Sequence, residues 1–207
     1  MHESVIILDD VLDEPDRLRA IARQADYPRL DTLTNFPGRN SAQRFDTAHI
    51  DQKLMNVLGY GLKPVAGTSH GKFRLTLADD VGRAKVHLDD SHWSAILYLT
   101  PDSHAQGGTD YFRHKATGLH DALVSPAHAR AQGWKSREEG QRAIDAILDA
   151  DTNNDAAWEH TMRVPMRYNR LVLMRPWLWH TAGPGFGSSF EDGRLVMLFF
   201  YHSVAVQ

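Results

Sequence analysis

Lys85-Val86-His87-Leu88-Asp89-Asp90-Ser91-His92-Trp93-Ser94-Ala95-Ile96-Leu97-Tyr98-Leu99-Thr100 is the stretch on which the fold turns. Its second half, Trp93 to Leu99, is a run of aromatic and branched residues, the composition of a buried strand. Its first half, Lys85 to Leu88, reads as a strand ending at a histidine and an aspartate two positions apart. Side chains at i and i+2 of an extended strand leave the same face, so an imidazole and a carboxylate stand side by side. With 12 His and 26 acidic residues in 207, composition supplies roughly one or two His-x-Asp/Glu matches by chance. The surroundings must therefore carry the reading.

Upstream, Lys72 to Ala78 alternates, with Phe73, Leu75 and Leu77 on one face, and Asp79-Asp80-Val81-Gly82 reads as a hairpin-like turn. Downstream, Gly107 to Phe112 opens another strand. Trp158 to Met166 alternates up to a break at Pro165, and Asn169 to Met174 and Arg194 to His202 are two further strands. The loop between these last two, Gly183 to Gly193, is rich in Gly and Ser. Before the strands come a short apolar strand at Ser4 to Leu8 and two helices. The first follows Asp13 as N-cap, with Glu14-Pro15 in its first turn and Leu18, Ile21, Ala22 and Ala25 as its stripe. The second covers 48–58, with Ile50, Leu54, Val57 and Leu58 on one face and Gly59 or Gly61 at its end. Residues 27–46 read as a polar loop.

Two helices followed by many short strands, without βαβ alternation, predict a mainly β fold with flanking helices. The natural candidate is a double-stranded β-helix, a cupin-like jelly roll with a mouth that can hold a metal at strand ends. The length predicts one domain over 1–207. It divides into helical support at 1–70, a jelly-roll core at 72–115 and 158–207, and a helical insert at 116–157. In the insert, Ser136 and Glu139 make a capping box for a helix of about 13 residues carrying Ala143, Ile144, Ile147 and Leu148. Because it interrupts the strand order beside the mouth, the insert is expected over or next to the metal opening as a selectivity element, or else as a buttress or dimer contact outside the barrel.

Apolar residues at 42% and charged residues at 24% suit a globular chain. A formal charge of −3 gives no electrostatic reason to expect nucleic acid or an anionic membrane as partner. With no cysteine there is no disulfide, thiolate metal site, Fe–S cluster or cysteine nucleophile. No basic n-region with an apolar stretch marks a signal peptide, and no apolar run approaches the ~18 residues of a membrane span. A cytoplasmic enzyme is expected; the oligomeric state is unknown from sequence.

His180, on a later strand, can join His87 and Asp89. Two neutral imidazoles and one carboxylate on one side of a metal leave its other positions open, the facial arrangement of non-heme Fe(II) oxygenases. Asp90 points to the other face of a regular strand and is the weaker ligand candidate. His70, His104, His114, His120, His128 and His160 have no ligand partner in register.

The order of segments resembles the Fe(II)- and 2-oxoglutarate-dependent dioxygenases, nearest their prolyl-hydroxylase-like branch. The resemblance rests on Val86-His87-Leu88-Asp89, Ala95 to Thr100, Gly107-Gly108-Thr109, Asn169 to Leu173, Trp179-His180 and Gly193-Arg194-Leu195-Val196. It spans roughly 73–115 and 164–202, with little of the first 70 residues and none of the insert. It implies Fe(II) held by His87, Asp89 and His180. It implies 2-oxoglutarate anchored through its far carboxylate on Arg194, whose planar fork suits a bidentate bond, with Tyr98 reaching the same carboxylate and Thr109 facing the pocket. Trp93 and Trp179 would wall the site, and Arg113-His114-Lys115 could meet an anionic substrate.

In halogenating relatives a small residue replaces the aspartate, so Asp89 points to hydroxylation. The implied activity is hydroxylation of a small-molecule or peptidyl substrate using O2, with release of succinate and CO2 and with ascorbate as a reductant for the iron. Two other readings stand beside it. One is a non-oxygenase metal-binding cupin, an isomerase or hydrolase using Zn or Mn, which would not need Arg194. The other is a barrel that binds a small acid and would tolerate loss of Asp89.

Overall fold

The structure, a computed structural model, describes residues 4–29, 32–123 and 125–204. In chain order the elements are β1 (Val5–Leu8), α1 (Pro15–Gln24), β2 (Arg39–Asn40), α2 (Ala48–Leu58), β3 (Gly61–Pro64), β4 (Lys72–Thr76), β5 (Trp93–Tyr98) and β6 (Gly108–His114). They continue as α3 (Pro126–Ala131), α4 (Arg137–Asp151), β7 (Trp158–Pro165), β8 (Leu171–Met174), β9 (His180–Thr181) and β10 (Arg194–Val204). No described helix is long and apolar enough to cross a membrane.

The strands form two antiparallel sheets. The larger has the order β1-β8-β5-β10-β4-β2, with β3 on the far end of β10; the smaller has the order β7-β6-β9. This is the double-stranded β-helix expected from the strand pattern. Period-2 alternation divides the larger sheet's faces. Trp93, Ala95, Leu97, Leu171, Leu173, Leu195, Met197 and Phe199 join Ala22 of α1 and Ile50 and Leu54 of α2 in one core. The alternate positions Ile96, Tyr98, Val172, Met174 and Val196 face the smaller sheet and meet its Tyr111 and Val164. The space between the sheets is thus largely apolar. Arg74, Ser94 and Arg194 also point into it and line a cavity together with Ile96, Met174 and Leu198, and the site lies there.

The insert packs outside the barrel. Leu119, Trp134, Ile144, Ile147 and Leu148 cover Phe112, Trp158 and Trp179 on the outer face of the smaller sheet, together with Val86 and Leu88. This corrects its expected place over the metal opening: none of its described residues lines the cavity at the site. It acts instead as a buttress. Thr152, just past α4, accepts from Val86 N at 3.0 Å, donates its hydroxyl to Val86 O at 2.8 Å and accepts from Lys85 N at 3.2 Å. A deletion of 119–155 is therefore expected to cost the fold itself. Ile144 is 1% exposed, and Ile144→Ala should lower unfolding free energy by about 2–5 kcal/mol, measurable by urea denaturation.

Several local expectations change. Lys85–Leu88 forms no strand; it makes a single bridge, His87 to His180, while Val86 on its other edge bonds Thr152. The turn at 79–82 closes no hairpin, since β4 pairs with β10 and β2. The N-cap of α1 is Glu14, not Asp13, and Val57 of α2 is 48% exposed. Half of the capping box forms: Ser136 accepts from Glu139 N, but the Glu139 carboxylate takes Lys135 N. Helix α3 and strand β2 lie where only loop was expected.

Candidate active site

His87 and His180 exchange both backbone hydrogen bonds, His87 N to His180 O at 2.9 Å and His180 N to His87 O at 3.3 Å. That reciprocal pairing sets their side chains beside each other on one face, with ring centroids 4.3 Å apart. Along 86–89 the residues alternate: Val86 and Leu88 join the core under the insert, while His87 and Asp89 point into the barrel. The Asp89 carboxylate lies 3.8 Å from His87 Nε2 and 3.5 Å from His180 Nε2. One ligand atom from each of the three lies within 4.8 Å of the others, the single such group of His, Asp and Glu among the described residues.

The hydrogen bonds behind this group prepare it for a cation. His87 Nδ1 faces Lys85 O at 2.9 Å and His180 Nδ1 faces Leu178 O at 2.7 Å. A carbonyl only accepts, so each Nδ1 carries the proton and each Nε2 offers its lone pair. Ser94 donates to Asp89 Oδ2 at 2.6 Å. Burial, then the neighbouring His180, holds the His87 imidazole down to about 4, so it is neutral at physiological pH. Burial pushes the Asp89 carboxyl up, but His180, His87 and Ser94 outweigh it and hold it down to about 2. Neutral imidazole and ionised carboxylate are the forms a divalent first-row metal takes.

Asp90 is exposed and stands outside the group. His49-Ile50-Asp51 has the same spacing, but it lies in α2, where i and i+2 side chains diverge. Tripeptide spacing means nothing until the backbone is extended.

The triad opens on a cavity of about 150 Å³, also lined by Arg194 and Arg74. Arg194 is 2% exposed, and its Nε and Nη2 have no hydrogen-bond partner. Burial pulls its pKa down, as expected of a cation taken out of water without a counter-charge. Its guanidinium stands 5.9 Å from the Tyr98 ring. Tyr98 Oη and Thr109 Oγ1 share a hydrogen bond of 2.7 Å. Both are buried behind Arg194 and outside the cavity lining.

Sequence reasoning did not single out Arg74, Phe36 or Ser94. Arg74 donates to Pro37 O at 2.8 Å, Phe36 O at 2.5 Å and Asn40 Oδ1 at 2.8 Å. Burial and the nearby Arg194 lower it to about 10. Phe36 lies against His87, ring centroids 4.1 Å apart. The available signal for Arg74 was a lone basic residue between Phe73 and Leu75; for Phe36 there was none.

Three expected contributors lie elsewhere. Trp93 faces the helix-covered core, with Nε1 on Tyr60 Oη at 2.7 Å. Trp179 faces the insert and packs on Trp158 at 5.1 Å. Neither walls the cavity, because each alternates with a residue that does. The Arg113-His114-Lys115 cluster is spent internally. Arg113 pairs with Glu159, His114 bonds Thr117 at 2.9 Å and Asp151 at 3.1 Å, and Lys115 bonds Ala156 O at 2.9 Å. His160 shares Asp110 with Arg163, and His70 bonds Thr47. None of these histidines joins a metal-binding group.

A family model described as "Family of unknown function (DUF6445)" matches residues 1–201. The chain belongs to that family. No curated protein matches it. Among solved structures, HygX from Streptomyces hygroscopicus with nickel and 2-oxoglutarate bound superposes at a TM-score of 0.54 and 15% identity, covering 96% of this chain and 82% of HygX. HygX with nickel, 2-oxoglutarate and hygromycin B bound gives 0.54 at 14% identity with the same coverage. SnoK, a non-heme alpha ketoglutarate dependent carbocyclase from nogalamycin biosynthesis, gives 0.52 at 13%, covering 96% and 79%. At these identities the likeness is one of fold, and it agrees with the two-sheet barrel described above.

Proposed function

We propose that this chain is an Fe(II)- and 2-oxoglutarate-dependent oxygenase that hydroxylates a small-molecule or peptidyl substrate. The observation that carries the reading is Arg194, a buried guanidinium with two unpartnered nitrogens in the same cavity as a metal-competent His-Asp-His group. Such a cation needs an anion in the working protein. A metal-dependent isomerase or hydrolase would not need it. The solved structures with 2-oxoglutarate bound support the choice of anion by fold likeness.

In this reading His87, Asp89 and His180 hold Fe(II), and Arg194 holds the far carboxylate of 2-oxoglutarate as a bidentate partner. Bound Fe(II), 2-oxoglutarate and O2 supply the oxidising chemistry, one oxygen atom going to the substrate and the other to succinate as CO2 leaves. The chain's own residues bind and orient. Ser94 keeps the Asp89 carboxylate turned toward the two imidazoles. Lys85 O and Leu178 O fix the ring planes. Tyr98 and Thr109, bonded to each other outside the cavity, support Arg194 from the core side, and Ile96, Met174 and Leu198 line the cavity with apolar surface. No protein nucleophile is required. The test is succinate formation from 2-oxoglutarate with Fe(II) and ascorbate, read without added substrate as uncoupled turnover. A folded Fe(II)-loaded protein that neither binds 2-oxoglutarate nor forms succinate would sink the reading.

A further inference from the structure

Beside the metal cavity lies a second, larger one of about 930 Å³, open to solvent and walled by residues 28–29 and 32–42 on one side and 79–81 on the other. Phe36, Ser69 and Arg74 line both cavities, so the two adjoin. We propose that this groove receives the primary substrate, and that the substrate is a small molecule with an apolar body and one anionic group, bound at Arg39. The proposal rests on the oxygenase reading for the chemistry next door, but its evidence is separate.

The groove's charge is unbalanced. It carries Arg29, Arg39, Lys72 and Arg74 against Asp79 and Asp80. Asp80 is committed to Leu77 N at 2.8 Å, Lys72 to Ala42 O at 3.2 Å and Arg74 to the wall itself. Arg39 is not committed. Its Nε is buried without a hydrogen-bond partner, and it has no ion pair among the described residues. A half-buried guanidinium left this way is an anion site, because carboxylate or phosphate would satisfy its fork.

The groove is also greasy where a water-facing surface should not be. Leu33 is 46% exposed and Val81 is 69% exposed, two of the few large apolar side chains so exposed, and both line it. Phe36 continues the apolar strip inward to His87. A ligand anchored by its anion at Arg39 would therefore lay its apolar body along this strip toward the metal group.

The walls are held in place. Arg83 N donates to Thr34 O at 3.0 Å and Ala84 N to Asn35 O at 2.8 Å, tying one wall to the other. At Gly82 a side chain would meet Pro37 N at 2.6 Å and Asn35 O at 2.8 Å, so glycine is required for that approach. Arg74 pins Phe36 and Pro37 to β4. The groove is thus a built feature of the barrel's flank.

The experiment uses the full chain loaded with Mn(II) and 2-oxoglutarate without O2, so that Arg194 is already engaged. The probes are 3-phenylpropionate, phenyl phosphate and the neutral isostere 3-phenylpropanamide, with affinities from calorimetry and contacts from NMR shifts. Both anions should bind about tenfold more tightly than the amide, shifting resonances of 32–42 and 79–81. Arg39→Gln should erase that margin while the amide still binds, and Leu33→Ser should weaken all three. The ratio of phosphate to carboxylate affinity tells which anion the site prefers. Equal binding of amide and anions, an undiminished margin in Arg39→Gln, no binding by any probe, or shifts confined to residues away from the groove would overturn the proposal. The wild-type shift map decides even if Arg39→Gln does not fold. Failure of the oxygenase reading looks different: Mn(II) and 2-oxoglutarate would not bind. The anion margin can then be read on metal-free Arg194→Gln protein.

Discussion

Asp89→Ala is expected to abolish 2-oxoglutarate turnover and to weaken Mn(II) or Fe(II) binding by at least about tenfold, while Asp90→Ala leaves both within about twofold. The difference follows from place. Asp89 faces both imidazoles, within 3.8 Å of His87 Nε2 and 3.5 Å of His180 Nε2. Asp90 is exposed on the other side of the chain. Removing the Asp89 carboxylate takes away the only anionic ligand and leaves two neutral donors, which cannot offset the cost of bringing a divalent cation out of water. Equilibrium dialysis with Mn(II) and succinate assays on both variants measure it. Retained metal affinity in Asp89→Ala would remove that residue from the site.

Arg194→Ala should raise the 2-oxoglutarate requirement at least tenfold, since removing one partner of a buried carboxylate–guanidinium pair costs roughly 2–5 kcal/mol. A second readout separates binding from a general loss of structure. Without ligand, Arg194 is a buried cation with Nε and Nη2 unpartnered. The apolar replacement Arg194→Met should therefore make the ligand-free protein more stable to heat. It should also abolish the stabilisation that 2-oxoglutarate confers on the metal-loaded wild type. If wild type and Arg194→Met respond alike to 2-oxoglutarate, Arg194 is not its anchor.

Much of the barrel was legible because its strands bury themselves in recognisable ways. β5, β8 and β10 are nearly continuous apolar runs since both faces are covered, one by α1 and α2 and the other by the smaller sheet. β4 and β7 alternate. Shorter pieces were not legible. β2 and β9 are two residues each, too short for any period to register, and α3 has no long apolar stripe. The insert's helix announced an apolar face, but an apolar face does not say what covers it. Here the cover is the outside of the smaller sheet.

By itself the sequence determined which residues could form the metal group: an i, i+2 pair in an extended segment and a histidine just before the Gly/Ser-rich loop. It also marked Arg194 as a cation heading the apolar run Leu195 to Phe200. Only the tertiary structure decided what surrounds them. Alternation shows that Arg74 and Ser94 face away from the helix-covered core, yet the same pattern serves a solvent-facing side chain. The second sheet turns that face into an interior, and so makes Arg74, Ser94 and Arg194 cavity residues rather than surface ones. The same is true of Phe36, brought onto His87 by a loop that β4 holds in place. Periodicity is a local property of the backbone, whereas burial of a face depends on what the rest of the chain lays over it.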